Sequence, residues 1–250
     1  MDAPLQLGGD WGAAPPEAVR RVLLRIREVC LSGLALRSDQ QPEKLRIDNH
    51  SKGTPAIWLH NDQPGTAWIL VVVGPLAWCQ LAYQFGHELG HVFCNSWIRS
   101  ARPGPPTQWL EEAMVEAFSI RGLGLLAASW DKDPPFPADQ AYAVELRQYR
   151  RDLIEKYKKV AYGDIATWFR AYRSELEGGG AGTQGPPVLE ILSVLESDPA
   201  CVEDLGAVNR WPARTRVPIE DYLTKLEASC AEIGAPGRMA SRLRHLFGIR

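Results

Sequence analysis

The chain lacks the charge excess that would tie it to nucleic acid or an anionic membrane. Its 28 Lys and Arg against 30 Asp and Glu leave a formal net charge of -2, too little to neutralise a phosphate backbone. The basic run at residues 147–159 (RQYRRDLIEKYKK) is interleaved with Asp152 and Glu155 and follows Glu145, the pattern of a solvated helix face. No apolar stretch is long enough to span a bilayer, since the richest, Ala67 to Leu81, is broken by Gly74 and Pro75. Neither nucleic acid nor membrane is therefore expected as a partner.

Cysteine is also sparse. The five residues Cys30, Cys79, Cys94, Cys201 and Cys230 form no CxxC pair, which argues against both a disulfide framework and a thiolate metal knuckle. The opening MDAPLQLGGDWGAAPPE has no basic stretch followed by an apolar run, so a cytoplasmic location is expected. No internal repeat is present. What remains is ordinary globular composition, 45% hydrophobic and 23% charged, enough to bury a full core over one large domain or two lobes.

The apolar pattern predicts an α+β fold. Val19, Val22, Leu23, Ile26 and Val29 recur at helical spacing over Pro16 to Leu31. Leu45 to Ile47, Ala56 to His60 and Thr66 to Val73 read as strands, and the turn residues Asn61 to Gly65 make the last two an antiparallel hairpin. Gly74-Pro75 then opens a helix from Leu76 to about Asn95, apolar nearly all round. A Pro-rich connection (Arg99 to Thr107) leads to a second helix, Gln108 to Ile120. Helices are expected at Ala141 to Tyr162, Ile165 to Leu176, Val188 to Glu196, Pro218 to Ile233 and Pro236 to Leu246, with a flexible linker at 177–187 (EGGGAGTQGPP). The expected division is an N-terminal extension with a packing helix (1–40), a metal-binding lobe built on a small mixed sheet (41–130) and a helical lobe (131–250).

Histidine is scarce too, with five in the chain, yet two of them stand four residues apart in Gly86-His87-Glu88-Leu89-Gly90-His91. On a helix this spacing puts both imidazoles on one face, where they can share a divalent cation. Glu88, just outside such a shell, can take a proton from a metal-activated water. Two histidines inside an apolar helix otherwise lack compensation for burial, which costs a few kcal/mol per unpaired polar group.

Catalytic zinc commonly keeps three protein ligands and one open position. Glu112 follows His91 after about twenty residues, on the next predicted helix, with Glu116 one turn further on the same face. His-Glu-x-x-His followed by Trp109-Leu110-Glu111-Glu112-Ala113-Met114-Val115-Glu116 resembles the two zinc motifs of the gluzincin metallopeptidases, thermolysin-like and aminopeptidase N-like. The resemblance covers about Leu45 to Ile120. It implies a zincin-like lobe in which His87, His91 and Glu112 bind zinc, Glu88 is the general base, and Glu116 orients a histidine ligand. It also implies that the Ala56 to Asn61 run is an edge strand that aligns an extended peptide. The expected function is zinc-dependent hydrolysis of peptide or protein substrates. The Gly-x-Met-Glu-Asn motif that anchors a free amino terminus in the aminopeptidases this chain resembles is not present, so internal cleavage is expected. A silent or partner-regulated zinc module on the same frame is the alternative.

Glu111 fits a solvated helix face. Cys94 lies near the face of His87 and His91 but about 4.5 Å further along the axis, and a small buried thiol is its commoner role. Cys94 and Trp97 do not match the metzincin pattern. Glu28-Val29-Cys30-Leu31-Ser32 is similar to a peptide deformylase segment whose Cys binds metal, although Val29 stands where that family has Gly and Glu112 would be left without a role. Tyr142, Tyr149, Tyr157, Tyr162, Tyr172 and His245 are the candidates for gripping an oxyanion. His50 and His60 read as ordinary surface or strand residues.

Overall fold

The computed structural model describes residues 2–35, 38–60, 62–101, 104–137, 139–160, 162–179, 185–211 and 216–249. Asn61, at the end of the expected edge run, and residues 180–184 of the expected linker lie outside them. The chain is α+β. Strands β1 (Leu5–Gly9), β2 (Lys44–Asn49), β3 (Ala56–Ile57) and β4 (Thr66–Val71) form a mixed sheet of order β1-β2-β4-β3, with α1 (Pro16–Cys30) inserted between β1 and β2. The β1–β2 and β2–β4 pairs are parallel, and β3–β4 is antiparallel.

Alternation sets which face of this sheet is buried. Leu45, Ile47 and Asn49 of β2 and Ala67, Ile69 and Val71 of β4 point into the core, as a period of two requires. The expected hairpin is present, shortened to two ladder residues in β3. Strand β1 was not expected, because its LQLGG reads as part of a Gly-rich lead. Its glycines serve the pairing: Gly9 takes φ 75°, and a Cβ there would overlap the Asn49 backbone.

After the sheet come α2 (Trp78–Phe93), α3 (Gln108–Lys132), α4 (Tyr142–Lys158), α5 (Ile165–Glu177), α6 (Gly185–Ser197), α7 (Ala200–Glu203), α8 (Ile219–Ile233) and α9 (Arg238–Phe247). Helix α2 is shorter than expected at both ends for one reason. Leu76 and Asn95 hold φ of 59° and 63°, left-handed values that a right-handed helix does not contain. Helix α3 runs twelve residues past Ile120 because Leu123, Leu126, Ala127 and Trp130 continue its buried faces. Helix α6 begins at Gly185, inside the expected linker, and α7 with a 3-10 turn at Asp204–Ala207 was not foreseen. One cluster of buried apolar side chains includes residues from Ala3 to Ile249. Among the described residues no helix is long and apolar enough to cross a membrane.

The sheet and the first long helix are joined by a side-chain clamp. Gln84 of α2 accepts from the Val72 N–H at 2.8 Å and donates to the Val72 carbonyl at 2.9 Å, just past the end of β4. Satisfying both backbone groups fixes α2 relative to β4. Its next turn carries His87.

Candidate metal centre

Helices α2 and α3 pack closely because α2 presents glycine where they meet. A Cβ at Gly90 would stand 2.9 Å from Val115 Cβ, and one at Gly86 would stand 3.1 Å from Ser119 Oγ. These two glycines flank His87, so the close approach occurs at the level of the motif. It brings Glu112 Oε2 to 3.4 Å from His87 Nε2 and 3.5 Å from His91 Nε2. The donor atoms of His87, His91 and Glu112 all lie within 4.8 Å of one another, a group that can hold a metal ion. Tetrahedral zinc with bonds of about 2.0–2.2 Å separates its donors by roughly 3.3 Å. The spacing and the two-nitrogen, one-oxygen donor set fit such an ion.

The far nitrogen of each imidazole is also fixed. His87 Nδ1 donates to Glu116 Oε2 at 2.8 Å, and Glu116 Oε1 in turn accepts from the hydroxyls of Tyr83 at 2.7 Å and Tyr157 at 2.6 Å. His91 Nδ1 donates to Glu111 Oε1 at 2.8 Å. Glu111 also accepts from Ser96 Oγ and, on Oε2, from Asn209 Nδ2 at 2.6 Å. A carboxylate acceptor at Nδ1 leaves the Nε2 lone pair for the metal. Both Nε2 atoms face Glu112.

Glu111 therefore contradicts its expected place on a solvated face. It is 1% exposed, because α3 has no solvated face there: Trp109, Leu110, Met114, Val115 and Phe118 are all buried around it. That crowding was a usable signal, since Glu111 shares a helix face with Met114 and Val115. Asn209 and Ser96 carried no comparable signal, as their roles depend on contacts distant in sequence.

Charge in the cluster is strongly coupled. Burial disfavours a charged His87, but the carboxylates of Glu112 and Glu116 outweigh it and lift the imidazole to about 9. His91 is likewise raised despite burial, by Glu111 and Glu112. Burial would raise Glu112 and Glu116 as well, yet the facing imidazoles hold both carboxyls below the ordinary range, with the two phenols assisting at Glu116. Glu88 moves the other way, pushed up chiefly by its own burial. The facing carboxylates thus favour the protonated form of both imidazoles, and a divalent cation held here would take the place of that charge.

A cleft of about 290 Å³ opens over this cluster. Its walls include Pro55, Ala56, Ile57 and Leu59 from the β3 side and His87, Glu88, His91, Ser96, Gln108 and Glu112 from the helices. The remaining candidates lie elsewhere. Cys30 is buried with its Sγ 2.5 Å from where a Cβ of Gly122 would be, and burial pushes its thiol up to about 12. Gly122 is ten residues along α3 from Glu112, or about 15 Å, which removes Cys30 as a ligand. Cys94 is buried beyond the end of α2. Tyr157 lies behind His87 on Glu116, Tyr142 contacts Cys79, Tyr162 bonds Glu190 and Tyr172 stacks on Trp168. Tyr149 packs edge-on against Tyr83, and His245 lines a separate groove with Arg238 and Arg242. His50 is exposed, while His60 lies edge-on to Trp68.

The triad resembles a zinc site of the His-Glu-x-x-His plus Glu type. No family model, curated protein or solved structure matches this chain.

Proposed function

We propose that the protein is a zinc-dependent peptidase that cleaves internal bonds of extended peptide or protein segments. The observation that carries this reading is the position of Glu88. Its carboxyl makes no hydrogen bond among the described residues and lines the same cleft as the three metal donors and the open edge of the sheet. A structural carboxylate at 3% exposure would be expected to be paired.

The chain supplies a place for substrate beside it. Trp58 N–H bonds the Trp68 carbonyl at 2.7 Å, so by antiparallel alternation the N–H and C=O of Ile57 point away from β4. β3 is the last strand of the sheet, and this donor and acceptor are available to the backbone of an added extended segment. Ile57 and Leu59 then bound the cleft on its apolar side.

Zinc held by His87, His91 and Glu112 would lower the pKa of a water and polarise the scissile carbonyl. Glu88 accepts the proton of the attacking water as the carbon–oxygen bond forms, and delivers it to the amine nitrogen as the carbon–nitrogen bond breaks. Its raised affinity for a proton suits both halves of that transfer. Glu116 and Glu111 hold the imidazoles. Tyr83 and Tyr157, whose hydroxyls are pushed up by burial and by Glu116, remain protonated donors.

The test is Glu88→Gln in digestion of a denatured protein mixture, with cleavage sites read by mass spectrometry. The variant should retain zinc and lose chelator-sensitive cleavage. Cleavage equal to that of the parent protein would overturn the mechanism.

A further inference from the structure

The segment from Asp204 to Arg210, more than a hundred residues beyond the His-Glu-x-x-His motif, reaches Glu111 behind His91 through the side chain of Asn209. Asn209 is 2% exposed and holds a left-handed φ of 62°. Its amide nitrogen donates to Glu111 Oε2 at 2.6 Å and to Ser96 Oγ at 3.0 Å, and Ser96 donates to Glu111 Oε1. The two amide hydrogens and the hydroxyl hydrogen thus close a buried ring with Glu111, which also accepts from His91 Nδ1.

The same segment is tied to the end of α2. Asn95 donates to the carbonyls of Gly206 at 3.0 Å and Val208 at 2.7 Å, and Ser38 donates to Asn95 Oδ1 at 2.6 Å. Arg210 then forks onto Asp39 at 2.8 and 2.6 Å. The chain is anchored before Asn209 by the Gly206 and Val208 carbonyls and after it by the Arg210 side chain, independently of the Asn209 amide, so the amide's effect on Glu111 can be separated from folding of the segment.

The two histidines are supported differently. His87 is backed by Glu116 and two tyrosines from α2 and α4, whereas His91 is backed by Glu111, Ser96 and Asn209. We propose that Asn209 is a positioning residue of the metal centre: by fixing Glu111 it holds His91 with Nε2 turned to Glu112, so that zinc affinity depends on the 204–210 segment. Loss of the amide frees Glu111 to rotate and leaves a buried carboxylate short of a donor. This inference rests on the metal reading of the triad and not on peptidase activity.

Zinc affinity is measured by competition with a chromophoric chelator for the full chain, Asn209→Asp, Asn209→Gly and Glu112→Ala. The Asp variant keeps the shape and the Gly variant keeps the backbone conformation, and both remove the donor. Each should bind zinc roughly tenfold more weakly. In the cobalt-loaded protein the His91 Nδ1–H signal should exchange faster in both, with the His87 signal unchanged; general destabilisation would move both signals. Affinity within twofold of the parent in either folded variant overturns the proposal. Should neither fold, Ser96→Ala removes the other donor without touching residue 209 and carries the same expectation and the same refutation. Unchanged zinc binding in Glu112→Ala would overturn the metal reading itself.

Discussion

Metal binding at this site should proceed as an exchange of two protons for one cation, and the number can be counted. Without metal, Glu112 and Glu116 lift His87 to about 9 and Glu111 and Glu112 raise His91 well above 6.5, each against the opposing effect of burial. At pH 6.5 both imidazoles are then protonated, and both must be neutral to coordinate. Zinc should release about two protons, and its apparent affinity should rise about 100-fold per pH unit, tenfold for each imidazole. Histidines with the ordinary pKa of about 6.5 would release about one proton in total at that pH. The measurement is calorimetric titration of zinc into Glu88→Gln in two buffers of different ionisation enthalpy. The substitution removes the proton that Glu88 could contribute, and the low pH keeps solvent ionisation at the metal out of the count. A release of one proton or fewer, or an affinity that does not change between pH 6 and 7, would refute the coupling derived from these contacts.

Three further outcomes follow from the same geometry. In the metal-free protein, the raised pKa of His87 contributes stability that is fully present below about pH 6.5 and is lost as pH rises through about 9; the melting temperature should fall across that window, while the upshift on adding zinc grows, as differential scanning fluorimetry will read. Gly90→Ala forces a Cβ to 2.9 Å from Val115, so chemical denaturation should report a loss of about 1–3 kcal/mol and zinc competition a weaker site; unchanged values would show that the α2–α3 approach does not require glycine. Glu111→Gln should reduce zinc affinity about 10–100-fold with little change in the secondary structure seen by circular dichroism, and an unchanged affinity would refute its part in holding His91.

Local spacing made part of this centre legible. His87 and His91 share a helix face by geometry alone, Glu112 and Glu116 share another for the same reason, and Gly74-Pro75 marks a break between strand and helix, although β4 already ends at Val71, two residues before the expected Val73. Those relations need no knowledge of what lies across the core. The α+β class was readable from equally local signals: alternation in β2, the β-branched apolar run of β4 and the 3.6-residue period of α1.

Pairing across the chain was not readable in this way. Strand β1 exists because Leu5 to Gly9 finds β2 as a parallel neighbour, and two glycines in isolation give no sign of it. Glu111 reads as solvated from its charge, although Met114 and Val115 on its own helix face mark that face as buried; its partners there, Ser96 and Asn209, lie too far along the chain for the sequence to pair with it. Sequence alone determined which residues can hold a cation and that Glu88 stands beside them. Only the tertiary structure decided that the donors converge, since convergence depends on Gly86 and Gly90 letting two helices touch, and that a segment near Asn209 completes the support of His91. The physical reason is range: helical and strand periodicity act over a few residues, whereas packing and buried hydrogen bonds join groups whose separation in the chain carries no signal.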